Sequence, residues 1–160
     1  MKIIKTLLCV LLCATFLLAV CACDSGETKT FAFSHKGTEI AVNADAAPIL
    51  AALEKELVSY DESPSCAFQG LDKVYTYPSF EIQTYPMGGK DYVYMIQILN
   101  DLVATPEGIR IGSTRDEVIA AFGDADSATA NSLTWYASGM RLEILLKNDS
   151  TVYKIRYWKE

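Results

Sequence analysis

Two stretches of this chain can be laid on one another at a fixed spacing, and that constrains its fold more than any other feature. Val74-Tyr75-Thr76-Tyr77 aligns with Leu133-Thr134-Trp135-Tyr136, and Val93-Tyr94-Met95-Ile96 with Val152-Tyr153-Lys154-Ile155, both 59 residues further on. Upstream, Ile49-Leu50-Ala51-Ala52-Leu53 matches Val118-Ile119-Ala120-Ala121-Phe122, and Gly37 in Lys36-Gly37-Thr38 matches Gly108 in Glu107-Gly108-Ile109. The spacing is 69 for the apolar run and 71 for the glycines, so the first copy has a loop about ten residues longer. Within each copy the apolar period changes from 3.6 to 2. The first copy is predicted to form a helix near 45–58 and strands near 73–77, 79–85 and 91–99, with Met87-Gly88-Gly89-Lys90 as a turn. The second opens a helix at Gly112-Ser113-Thr114-Arg115-Asp116-Glu117, with Ser113 or Thr114 as N-cap, acidic side chains in the first turn and Gly123 at its end. Its strands are expected at 132–137, 140–147 and 151–158, the last two joined by Lys147-Asn148-Asp149-Ser150. The expectation is an α+β domain of two tandem helix-plus-three-strand units, 31–100 and 101–160. Its antiparallel sheet would carry the helices on one face.

The segments Ile109-Arg110-Ile111-Gly112-Ser113-Thr114-Arg115-Asp116-Glu117-Val118, Phe122-Gly123-Asp124, Trp135-Tyr136 and Val152-Tyr153-Lys154-Ile155 carry a resemblance. They are similar to the repeat of the beta-lactamase inhibitory protein fold, which the small outer-membrane lipoprotein of the barrel-assembly machinery shares. The likeness covers about 50 residues, and the first unit matches as a divergent copy. Where that family usually has Gly-x-Pro after its helix, this chain has Gly123-Asp124-Ala125-Asp126, which implies a different turn. The motif is structural and implies a fold, with no active site attached. In the inhibitory protein the open sheet is the binding surface, which implies the same use for the open sheet here.

The N-terminus reads as an address. Lys2 and Lys5 precede an apolar run from Leu7 to Val20, followed by Cys21-Ala22-Cys23 and the polar segment Asp24-Ser25-Gly26-Glu27-Thr28-Lys29-Thr30. The run is shorter than the ~20 residues of a membrane span, so a secretory signal peptide over 1–22 and a tether over 23–30 are expected. The cysteines resemble the acceptor of bacterial lipoprotein signals. Two registers compete, Leu18-Ala19-Val20-Cys21 and Val20-Cys21-Ala22-Cys23, and the small Ala22 before the acceptor favours Cys23. Ordinary cleavage, leaving a free thiol near the new N-terminus, is the plainer alternative. If Cys23 is lipidated as in that family, two or more acyl chains hold the domain stably on the outer side of a membrane. Cys9 and Cys13 leave with the signal.

Without Lys2 and Lys5, 12 basic face 20 acidic side chains, a net charge of −8 that disfavours nucleic acid and anionic lipid. One His, and one Cys inside the domain, give no zinc cluster, so no metal and no cofactor beyond the covalent lipid are expected. Asp61-Glu62, Asp116-Glu117 and Asp124-Ala125-Asp126 sit at turns or helix starts and lack a calcium-loop spacing. Cys66 could be a nucleophile with His35 as its base. The stronger expectation is a buried, inert Cys66 and a solvated His35 in a hairpin turn, so no catalytic residue is assigned.

Strand alternation is more informative. Placing Tyr94, Ile96, Ile98, Leu142, Ile144, Tyr153 and Ile155 under the helices sends their neighbours to the open face. Tyr75, Tyr77, Tyr85, Tyr136, Arg141, Arg156 and Trp158 would then form a binding surface. Tyr, Trp and Arg are enriched at protein-binding hot spots. The expectation is a non-enzymatic envelope lipoprotein that recognises an envelope or extracellular protein through this face. A structural accessory component, and a cell-wall or small-ligand-binding lipoprotein, are the alternatives. A one-residue slip of register would exchange the two faces.

Overall fold

The structure is a computed structural model that describes residues 31–67 and 69–160. The signal segment, the tether and Cys23 lie outside the described residues. The chain begins with a hairpin of β1 (Ala32–His35) and β2 (Thr38–Ala41), then α1 (Ala46–Leu53) and a 3-10 turn over Glu54–Glu56. Strands β3 (Ser59–Pro64), β4 (Leu71–Thr76), β5 (Phe80–Met87) and β6 (Lys90–Ile98) follow. After α2 (Arg115–Phe122) come β7 (Ser127–Ala128), β8 (Ser132–Ala137), β9 (Met140–Leu146) and β10 (Val152–Lys159). Apart from the β1–β2 hairpin the strands form one antiparallel sheet, in the order β3-β4-β5-β6-β10-β9-β8-β7. A predominantly antiparallel sheet with two short helices makes this an α+β fold.

Local chemistry explains the helices. Asp45 caps α1 by accepting the Ala47 amide at 3.1 Å, and its carboxylate also receives Lys90 Nζ at 2.8 Å. Thr114 caps α2 in a reciprocal box: its hydroxyl accepts the Glu117 amide at 3.3 Å, while the Glu117 carboxylate accepts the Thr114 amide at 2.7 Å. Gly123 ends α2 at φ +74°, donating its amide to the Ile119 carbonyl at 2.8 Å. Helix α1 stops at Leu53, not near 58, because the 3-10 turn leads Leu57 into extended backbone and toward β3.

Both helices and the β1–β2 hairpin pack on one face of the sheet. Ile49 and Leu53 of α1, Val118 and Phe122 of α2, and Phe33 and Ile40 of the hairpin share a core with Phe80, Ile82, Ile96, Ile98, Leu142, Ile144 and Ile155. Ring contacts stitch it together, Phe33 to Phe80 at 5.1 Å and Phe122 to Trp135 at 5.3 Å.

Four tyrosines depart from the expected faces. Tyr75 pairs with Ile82, a core residue, so it and Tyr77 lie on the helix-covered side. Tyr77 is 2 % exposed and stacks on Phe80 at 4.8 Å. Neither belongs to the open face. The reason is register, since Val74 and Thr76 alternate as acceptably as their tyrosine neighbours and only pairing with β5 decides which set turns inward. Tyr94 and Tyr153 are not core residues either. Gln83 pairs with Met95 and Thr84 with Val93, which leaves Tyr94 as the extra residue of a bulge. Leu146 pairs with Val152 and Leu145 with Lys154, which does the same to Tyr153.

The sheet ends differently at its two sides. β3 is exposed throughout and carries Asp61, Glu62 and Pro64, whereas β7 is only two residues long.

Candidate functional site

The helix-free face is built from two rows of side chains that cross the strands. Register places Val74, Gln83, Met95, Trp158, Arg141 and Tyr136 in one row, and Thr76, Glu81, Gln97, Arg156, Glu143 and Thr134 in the next. Each residue faces its neighbour on the adjacent strand, where cross-strand pairs interact directly. Of the seven residues expected to form the surface, Tyr136, Arg141, Arg156 and Trp158 come together on β8–β10.

Their centre is Trp158. The Arg141 guanidinium lies over its ring at 3.8 Å and that of Arg156 at 4.5 Å. Arg156 is held in turn by Glu143, whose carboxylate accepts Nε at 3.0 Å and a second bond from the terminal nitrogen. Cation–π attraction offsets the repulsion between the two cations, and Glu143 neutralises one of them. Arg141 has no ion pair among the described residues. Its Nε and the Trp158 Nε1 are buried without an acceptor. Tyr136 is 42 % exposed at the margin of the cluster.

Tyr85 sits apart and is 3 % exposed. Its hydroxyl donates to Asn43 Oδ1 at 3.2 Å, its ring meets Tyr92 at 5.9 Å and Tyr94 at 6.2 Å, and burial raises its pKa. Beside it a cavity of about 320 Å³ is bordered by Cys66, Val74, Gln83, Tyr85, Tyr94 and Lys159. Cys66 is a free, exposed thiol, contrary to the buried residue expected, because β3 and β4 hold its loop outside the core.

His35 is elsewhere. Its ring meets Phe80 of the helix-covered face at 4.9 Å with the two planes tilted by 57°, and its Nε2 lies 3.1 Å from Glu56, which also accepts Lys36 Nζ at 2.8 Å. Lys36 first and His35 second hold the Glu56 carboxyl below its usual value. The sheet thus separates His35 from Cys66. On the same side as His35, Tyr75 and Tyr77 border a groove of about 400 Å³ with Leu50, Ala51, Glu54 and Leu57. Burial pushes Tyr77 up to about 12.

The Asp124–Asp126 turn has a role that spacing did not reveal. The Asp124 carbonyl accepts Trp135 Nε1 at 3.0 Å, and the Asp126 carboxylate accepts the Tyr136 amide at 2.7 Å, which ties the end of α2 to β8. Among the described residues no group of three or more His, Cys, Asp or Glu side chains could hold a metal ion, and no helix is long and apolar enough to cross a membrane.

No protein-family model matches the chain, and no curated protein matches it. One solved structure it resembles is that of the uncharacterized protein YfeY from Escherichia coli, with a TM-score of 0.44 and 14 % identity. The match covers 76 % of this chain and 93 % of that one.

Proposed function

We propose that this chain is a lipoprotein anchored through Cys23 on the outer side of a membrane, and that its open sheet face is a non-enzymatic protein-binding surface. The carrying observation is the Arg141–Trp158–Arg156–Glu143 cluster on a face where no described helix packs. Stacked guanidiniums and half-buried aromatics present a rigid surface that loses little side-chain freedom when a partner covers it.

The domain is read as two tandem helix-plus-three-strand units, and the bulges support this. Val93 and Val152 are both buried, Tyr94 and Tyr153 are both the extra residue, and Ile96 and Ile155 are both fully buried. In the outer strand of each unit the equivalence moves by one residue. Tyr75 corresponds to Leu133, because each pairs with a core isoleucine of the middle strand, Ile82 or Ile144. That single step accounts for the inverted faces of Tyr75 and Tyr77.

Two measurements test the proposal. Mass spectrometry of the mature N-terminus should find an acylated Cys23, and Cys23→Ser should release the protein from the membrane fraction; an unmodified mature end overturns the anchor. A photoreactive side chain at the exposed position 136 should give one discrete adduct in cells, and the same probe at the exposed Glu39 of β2 should not. Identical patterns, or none, refute the binding face. The cavity beside Tyr85 favours a second reading, a small-ligand-binding lipoprotein. A compound that protects Cys66 from alkylation without changing the adducts would support it.

A further inference from the structure

We infer that the open face is self-complementary and docks on a second copy of this chain, face to face, about a two-fold axis parallel to the strands. The inference rests on the protein-binding reading of this face and names its partner.

Charge is divided across the sheet. Register places Asp61 of β3, Asp72 of β4 and Glu81 of β5 on the open side, where those strands carry no cation of their own and the one that reaches them, Lys159 of β10, lies over the Tyr85 ring at 5.8 Å. Across the β6–β10 boundary lie Arg141 of β9 and Lys154 and Arg156 of β10, opposed only by Glu143. Arg156 is consumed by Glu143, but Arg141 and Lys154 have no ion pair among the described residues. Asp61 and Asp72 have none either, and Glu81 accepts only Gln83 Nε2, at 2.9 Å. One half of the face thus carries unpaired carboxylates and the other unpaired cations, within a chain that is acidic overall.

Symmetry selects the docking. A two-fold axis lying between two facing sheets and parallel to the strands turns β3–β5 of one copy onto β10–β8 of the other, so opposite charges meet twice. An axis across the strands would set like against like, which is strongly unfavourable at an interface. A partner of uniform charge would match one half and be repelled by the other. The six strands β4-β5-β6-β10-β9-β8, at ~4.8 Å spacing and three to four outward residues each, offer on the order of 500 Å² of flat area, which side-chain relief brings toward the ~800 Å² per partner of a standard interface.

The experiment is sedimentation equilibrium of the full mature chain in density-matched detergent, with charge reversals on either half. The native protein should dimerise, more weakly at ~0.5 M than at ~0.05 M salt because screening shortens from over 10 Å to a few ångströms. Arg141→Glu with Lys154→Glu, and separately Asp72→Lys with Glu81→Lys, should each raise the dimer Kd by roughly 100-fold. Mixing the two variants should restore a dimer of native strength, since each reversed half then meets its complement and the native halves still match. Near-ultraviolet dichroism of the two tryptophans checks folding, and Lys154→Glu with Asp72→Lys is the milder pair if a double reversal misfolds. A monomeric native chain, unaltered dimerisation in either variant, or a mixture that stays monomeric overturns the inference. A monomer that still gives the open-face adduct leaves the binding reading intact; a monomer without adducts removes both.

Discussion

The two tryptophans lie on opposite faces of one sheet, and replacing each by phenylalanine measures what each face contributes. Trp135 is 1 % exposed, meets Phe122 at 5.3 Å and donates Nε1 to the Asp124 carbonyl at 3.0 Å. In Trp135→Phe the smaller ring leaves ~40 Å³ unfilled, which costs ~1 kcal/mol at ~24 cal/mol per Å³. The lost apolar contact adds ~1 kcal/mol at ~25 cal/mol per Å². The unpaired Asp124 carbonyl adds ~1 kcal/mol more. The expected loss is therefore ~3 kcal/mol, or ~10 °C in Tm for a domain of this size. Trp158→Phe keeps an aromatic ring beneath Arg141 and removes an indole N–H that has no acceptor. Its expected cost is below ~1 kcal/mol. Each variant retains one tryptophan as its own reporter, so urea titration followed by fluorescence and by far-ultraviolet dichroism checks both values and the coincidence of the transitions. If Trp135→Phe costs under ~1 kcal/mol, or less than Trp158→Phe, the assignment of the two faces is wrong.

Thr114→Ala removes the hydroxyl that caps α2 and should lower unfolding free energy by ~1 kcal/mol in urea, with Thr114→Ser restoring most of it; a neutral alanine variant would mean that the cap contributes nothing. Asp45, Glu56, Glu117 and Asp149 all have folded pKa values below their ordinary 3.8 or 4.5, held there by Lys90, Lys36, the Thr114 amide and the Thr151 hydroxyl respectively. Their stabilisation is present above those ordinary values and is lost as pH falls through the folded ones, so Tm should hold from pH 7 to 5 and decline below about 4.5; a Tm unchanged at pH 3 would contradict these contacts. Cys66 should react with an aromatic disulfide in the folded protein as fast as in urea, and protection by more than about tenfold would place it inside the fold instead.

Much of the second half was readable because its signals are local. The Thr114–Glu117 box and Gly123 bracket α2 within a few residues, and β8 to β10 fall within a residue of their expected limits. The first half carried the same alternation but depended on pairing between distant residues. Ser59–Pro64 contains two carboxylates and a proline, and it is a strand only because its backbone meets β4, so no periodicity announced it. Val74 to Tyr77 offer two plausible inward sets, and nothing within those four residues distinguishes them. A bulge is harder still to foresee, since Tyr94 and Tyr153 fit the period they interrupt. The cationic half of the candidate surface and Glu81 of the acidic half were therefore legible, whereas Asp61 and Asp72 joined that half only once β3 and β4 were in register.

The margins of the sheet have a consequence for crowding. A protein tethered to a surface meets its neighbours in two dimensions at high local concentration, where an unpaired strand edge invites end-on growth. Here one margin is a strand of only two residues and the other is guarded by Asp61, Glu62 and Pro64, so lateral addition meets either too little backbone or like charges and an absent amide donor. Growth by edges is closed, whereas a two-fold contact through faces consumes its own surface and stops at a pair. With the proposed anchor and the proposed two-fold contact, assembly would thus be finite by construction, with discrete particles in place of filaments.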